Sequence, residues 1–417
     1  LMLLSLILII AAFLFSISEI YLAASACLIL VIALVPLFFR KNIDYFSSWN
    51  FLLYSIVIGV FFRAIYISFE LSKPDVISSL FLKGESIDIL FWPSILMVVG
   101  ILFFMLGYLM PKYKLPISHL KFASEKPEWN PRKYRFISVS LLIISLVAFF
   151  LFVRANGIDL LLLDGISKHR GLNSELSEYR SYSYLRMLIS LSDIVLFISY
   201  VKINQSIKVE LFDVFLFLFS IMISISFYII VSSRGGAVLL IISLIALNYY
   251  LNAQKFKFKV YFPLMLTGLS LMYFLTVLRK ASAIDIEKSL SESFLSLLDP
   301  FIFALNLIDV SKTAHIIRAI PGKLDYEFGG TYLPILYSWI PRDFWPDKPI
   351  VNIDNIIGFQ VYDASVLGSG GVPPGLFAEA FWNFSYGGVI VVAIVAGVVL
   401  RIIANTFRKA NINNMII

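Results

Sequence analysis

Five arginines and one carboxylate stand where a membrane-edge chemistry can use them. Arg154 and Arg170 lie in RANGIDLLLLDGISKHRG, Arg234 lies in SSRGG, and Arg318 and Arg342 lie in the long polar part of the C-terminal half. A guanidinium is always charged and offers planar, bidentate donors, so this residue type suits a diphosphate better than lysine does. Gly235 and Gly236 let the backbone beside Arg234 approach a ligand closely. The plainer reading is that membrane-edge arginines snorkel to head groups. The densest stretch is 328–388, where Pro334, Pro341, Pro346, Pro349, Pro373 and Pro374 interrupt helix formation. Backbone of that kind cannot face lipid, so it stands in water or lines a polar cavity. There Arg342, Asp343, Asp347, Lys348, Asp354, Asp363 and Glu379 place charge among Trp339, Phe344 and Trp345. Rings beside charges suit a sugar and an anionic head group. The alternative is a loop pinned at the membrane surface by its aromatics.

The elements that position these residues are set by composition. Hydrophobic residues make up 59% of the 417 and charged residues 15%, with a mean hydropathy of +0.88. A soluble domain is about half apolar and a quarter charged, so this is a polytopic all-α membrane protein. The single cysteine, Cys27, sits in an apolar run, and His119, His169 and His315 are far apart, so no disulfide or metal-ligand pattern is present. The formal charge of +7 lies mostly in short loops between apolar runs, which argues against nucleic acid as a partner.

Apolar runs at 2–18, 21–39, 50–69, 90–110, 136–153, 184–203, 211–231, 236–251, 260–278 and 376–404 give about ten transmembrane helices. The closely spaced first two read as a retained hairpin. The short segments on the side of loop 111–135 carry more than twice the Lys and Arg of the opposite short segments. That bias puts both termini in the cytoplasm. The organisation is then a bundle over 1–278, a long external loop over 279–375, and a last span with its tail over 376–417. Within the loop, 293–320 has apolar residues at helical spacing but is broken by Asp299-Pro300 and Asp309, which predicts helices lying in the outer interface. Arg63, in GVFFRAIYISFE, is a charge near the end of an apolar span, where function and snorkelling are both open. Asp193 and Asp213 stand near span ends, without the chain of buried acids a proton-driven transporter would use.

The order GGTYL, IPRDFWPDKP, a Gly-rich run and E-x-F-x-NF-x-x-GG before the last span resembles the O-antigen polymerase (Wzy) family. The motif-level likeness covers roughly sixty residues, and the multi-span layout is compatible with it over the rest. The spacing of Arg154 to Gly165 and of Arg318 to Gly329, ten residues intervening in each case, resembles an Arg-x10-Gly motif of some members. The resemblance implies a large lipid-sugar glycosyltransferase of GT-C-like architecture in the cytoplasmic membrane. It would polymerise undecaprenyl-diphosphate-linked oligosaccharide units on the outer face, without a metal or other cofactor. Membrane lipid and a chain-length-regulating co-polymerase are the implied partners.

Under that resemblance Arg154, Arg170, Arg234 and Arg342 are candidate ligands of the diphosphates, and Arg318 takes part in catalysis beside Glu379. Lys348, Trp345, Gly329 and Gly330 join the sugar- and diphosphate-binding set. Glycosyl transfer needs a group to accept the proton of the attacking hydroxyl. The related O-antigen ligases carry a functional His before their last conserved span, where this chain reads Pro373-Pro374-Gly375. Glu379 is the nearest carboxylate, with His315, Asp354 and Asp363 as alternatives. An O-antigen ligase, and a transporter or flippase of lipid-linked oligosaccharide, remain open as alternative functions. The topology is checked by thiol labelling of intact spheroplasts after removal of Cys27. Cysteines at 125, 206 and 256 are expected to be protected and those at 173 and 355 to react; labelling at 125 without labelling at 355 would overturn the orientation.

Overall fold

The structure is a computed structural model, and it describes residues 21–38, 44–64, 87–110, 130–155, 183–206, 208–231, 234–252, 310–338, 353–362 and 372–409, with isolated positions between 261–270 and 340–349. Among these residues there is no strand, and six helices are long and apolar enough to cross a membrane. Two shorter apolar helices, Ser48–Phe62 and Gly235–Leu251, match the runs read at 50–69 and 236–251. The run read at 2–18 and most of that at 260–278 lie outside the described residues. The helices used below are α1 (Tyr21–Phe38), α2 (Ser48–Ile56), α3 (Phe91–Leu109), α4 (Pro131–Ala155), α5 (Ser183–Ile189), α6 (Leu191–Gln205), α7 (Leu211–Ile230), α8 (Arg234–Leu251), α9 (Val310–Ala319), α10 (Pro334–Tyr337), α11 (Ile353–Gln360) and α12 (Gly375–Lys409).

The chain forms two compact units. One comprises Leu1–Ile117, Leu298–Ile340 and Asp347–Phe407; the other comprises Ser118–Leu297, Pro341–Pro346 and Arg408–Ile417. In the second unit α4 to α8 pack with their polar residues inward. Ser138 and Ser145 of α4 are buried, while Ile143, Val147 and Phe150 are exposed. That is the arrangement lipid selects, because acyl chains solvate large apolar side chains as well as a core does. Helix contacts then rest on small residues and hydrogen bonds. Ser145 donates to the Ile189 carbonyl at 2.7 Å, the Ser192 and Ser224 hydroxyls meet at 2.8 Å, and Tyr228 donates to Asp193 Oδ2 at 2.7 Å. Arg135 pairs with Glu210 between α4 and the start of α7.

The first unit gathers α1, α2, α3, α9 and α12 around one core. Trp49, 1% exposed, donates to the Ala33 carbonyl at 2.8 Å and packs on Tyr108 at 4.5 Å, so α1, α2 and α3 lock together. Glycines set the approach of α3 to α12. A Cβ at Gly107 would strike the Ile394 carbonyl oxygen, one at Gly397 would strike the Phe104 carbonyl oxygen, and one at Gly100 would lie 2.6 Å from the Phe377 ring. α2 runs into a π-helical turn over Val57–Phe62, and Arg63 directly after it is buried at 4% exposure. Within this unit Arg63 therefore faces protein and not an exposed surface. Of the segment 293–320, the apolar positions 294–308 lie outside the described residues; in α9 every residue from Val310 to Ile316 is buried, and Thr313 meets the Met97 sulfur of α3 at 4.0 Å.

Backbone oxygens cannot rotate aside, so a side chain at either helix-crossing glycine must push the helices apart. Gly397→Val is expected to cost about 1–3 kcal/mol, the scale of overpacking. Gly387→Ala, where nothing lies within 4 Å, should leave stability unchanged or raise it by up to about 1 kcal/mol through helix propensity. Melting of the detergent-purified protein checks the opposite signs.

Candidate functional site

The polar centre of the first unit forms where the loop after α9 meets the start of α12. α12 begins after Pro373-Pro374, with Gly375 at φ +74, and its first turns carry Glu379 and Asn383 on one face. Residues four apart on a helix are neighbours, and Asn383 Nδ2 donates to the Glu379 carbonyl at 2.8 Å. The loop supplies the other half. It turns at Gly329, whose φ of +97 suits a residue without Cβ, and enters a 3-10 turn over Gly330–Tyr332. The Gly329 amide donates to Asn383 Oδ1 at 2.7 Å, Asn383 Nδ2 donates to Thr331 Oγ1 at 2.6 Å, and Thr331 Oγ1 donates to Glu379 Oε1 at 2.8 Å. Two further bonds fix the register: Trp382 Nε1 to the Asp325 carbonyl at 2.8 Å and the Glu327 amide to the Trp382 carbonyl at 3.2 Å.

This places Glu379 with one oxygen held by Thr331 and, among the described residues, no donor on the other. The carboxylate is half-buried, in the second turn of α12. Tyr332 stands beside it: burial first, and the Glu379 charge second, push its phenol up to about 12. It therefore remains a hydrogen-bond donor at any physiological pH. Its ring stacks on Phe384 with centroids 6.5 Å apart and planes at 23°. Immediately beyond, α12 breaks at Phe384 (φ −140°) and Ser385 (φ +57°) before continuing.

The sequence-derived candidates are distributed between the units. Glu379, Gly329 and Gly330 join this centre, and Arg318, in the same unit, is exposed at the end of α9. The two glycines serve packing: a Cβ on Gly330 would lie 2.6 Å from Glu327 Oε2, and one on Gly329 would lie 3.3 Å from Phe384 Cζ. Lys348 is 8% exposed, and its ammonium donates to the Ser338 and Ile340 carbonyls at 3.2 and 2.7 Å, tying the loop to itself. Arg154, exposed in the last turn of α4, and Trp345, partly exposed, belong to the second unit. Arg234 opens α8 in that unit. Arg170, Arg342 and Asp363 lie outside the described residues. His315 is buried, with Nδ1 2.8 Å from the Tyr362 hydroxyl. Asp354 lies in the first turn of α11. Among the described residues no three His, Cys, Asp or Glu side chains gather as metal ligands do.

Sequence reasoning gave no role to Thr331 and Tyr332, although both stand in the quoted GGTYL. It also missed Arg186, half-buried with its guanidinium over the Phe152 ring at 5.6 Å. Asn383, four residues after Glu379, was legible as sharing its helical face.

Membrane-length helices, with a carboxylate-centred polar network at the start of the last long one, define a multi-pass membrane protein. The chain belongs to the O-antigen polysaccharide polymerase Wzy family, whose model matches residues 1–417, the whole chain. That membership carries a polymerase role on lipid-linked oligosaccharide repeat units at a membrane. No curated protein and no solved structure matches it.

Asn383 makes three of the bonds that hold this centre, and its removal leaves Gly329 and Thr331 with unmet polar groups. Asn383→Ala is expected to lower stability by about 2–4 kcal/mol, read as a drop in Tm and as loss of Trp382 burial in fluorescence quenching.

Proposed function

We propose that this family member polymerises undecaprenyl-diphosphate-linked repeat units on the outer face of the cytoplasmic membrane, with Glu379 as the general base. A sugar hydroxyl of the acceptor unit attacks the anomeric carbon of the growing chain. The bond from that carbon to the lipid diphosphate breaks, the diphosphate leaves with the electron pair, and Glu379 takes the hydroxyl proton. The observation that carries this reading is the geometry at Glu379. Thr331 fixes one carboxylate oxygen at 2.8 Å, which orients the group and leaves the other oxygen for substrate.

Guanidinium groups neutralise the leaving diphosphate in place of a metal. Arg318 is the candidate in the same unit as Glu379, and Arg154 and Arg234 stand in the other; these three, with Arg170 and Arg342, are each proposed as diphosphate ligands on their charge. Residues 279–375 form the external loop of this topology, and a chain-length-regulating co-polymerase is the proposed partner. A flippase would need a charged path through the whole bilayer, whereas in this topology the candidate charges gather at one face.

Deletion of the gene should leave surface polysaccharide as one capped repeat, and the wild-type chain should restore the ladder. Full-length polymer retained on its carrier would instead indicate a ligase, and loss of all external sugar a flippase. Glu379→Gln is expected to lower polymerisation about 10²–10⁴-fold, the usual worth of a general base, while still binding lipid-linked oligosaccharide. Polymerisation at the wild-type rate removes Glu379 from the mechanism.

A further inference from the structure

Beside the Glu379 carboxylate, the Tyr332 hydroxyl is buried and has no hydrogen-bond partner among the described residues. A buried donor left unmet destabilises the protein that carries it. Such a group persists where something outside the chain completes it. The surrounding backbone is held in rarely populated conformations at two places: Phe328 at φ +46° and Ser385 at φ +57°. Neither is a glycine, and strain of this kind collects at ligand sites because the surroundings must hold it in place. The two strained points flank one aromatic pair. Gly329 gives room for the Phe384 ring, Phe384 lies over Tyr332, and Phe384 remains 45% exposed.

We infer that Tyr332, Phe384 and the open oxygen of Glu379 form the subsite for the acceptor sugar. The exposed Phe384 ring takes the apolar face of the pyranose. The attacking hydroxyl accepts from Tyr332 Oη–H and donates to the free oxygen of Glu379. One donor and one acceptor on the same hydroxyl fix its lone pair toward the donor carbon, which makes Tyr332 a positioning group in the transfer. Pockets that pair an aromatic wall with a few convergent polar groups are the ordinary form of small-molecule sites. The hydroxyl of Tyr332 keeps its proton throughout, and the proton that moves is that of the sugar. This subsite rests on the polymerase reading for the identity of its sugar as acceptor.

The test uses the full chain, purified in detergent. The probe is the oligosaccharide released by mild acid from the host's own lipid-linked repeat-unit pool, labelled at its reducing end. Tyr332→Phe removes only the hydroxyl, and Phe384→Leu removes only the flat face. Each is expected to weaken binding about fivefold, the scale of one hydrogen bond or one aromatic contact. Phe384→Trp should bind as wild type. Tyr332→Phe should also keep or raise the Tm, since an unmet buried donor has gone. Binding by Tyr332→Phe or Phe384→Leu within twofold of wild type overturns the subsite. So does weakened binding by Tyr332→Phe accompanied by a lowered Tm, the behaviour of a merely structural tyrosine. The two readings fail separately. A wild-type chain that restores no polymer sinks the polymerase assignment, and the binding comparison still decides the subsite.

Discussion

The side-chain amide of Asn383 is the interaction on which the described centre depends. It can accept at one end and donate at the other, and all of that capacity is used within one short region. Its oxygen takes the Gly329 amide, and its nitrogen reaches both Thr331 and the carbonyl of Glu379. A loop that cannot form its own ladder of backbone bonds is thereby fastened to the first turns of α12. Asn383 is fully buried, so water cannot substitute for these partners and the bonds cannot be exchanged cheaply. The same residue that holds the loop therefore also delivers Thr331 to the Glu379 carboxylate.

That fastening needs a firm base, which the first unit supplies by close helix packing. In lipid the hydrophobic effect does not hold one helix to another, so backbone contact through small residues and side-chain hydrogen bonds must serve. Gly107 and Gly397 let α3 and α12 meet at their backbones, and Trp382 anchors the loop to α12 through the Asp325 carbonyl. The break at Phe384 and Ser385 then separates the site-bearing first turns of α12 from the long apolar remainder. A continuous helix would direct Phe384 elsewhere, and the stacking on Tyr332 would be lost.

Burial of polar groups inside the first unit extends beyond the Glu379 centre. α9 turns Lys312 and His315 inward, at 2% and 3% exposure, while Arg318 at its end is exposed. α9 packs on α3, where Thr313 meets the Met97 sulfur. Hydrogen bonds such as that between His315 and Tyr362 accompany the burial.

What the sequence determined by itself follows from short-range physics. Twenty-residue apolar runs must be helices in lipid because no other open structure satisfies its backbone there, so the all-α membrane class was legible from composition. That no continuous helix runs through the proline- and glycine-rich segment 328–388 was legible, and so was Glu379 with Asn383 as one helical face, because both depend only on local spacing. Tertiary structure alone decided that Thr331 and Tyr332 meet that face, since they stand about fifty residues away and the turn at Gly329 brings them in. It also decided that the Lys348 ammonium reaches the Ser338 and Ile340 carbonyls. A charge shows in the sequence; the carbonyls that satisfy it are brought close only when the loop folds back on itself.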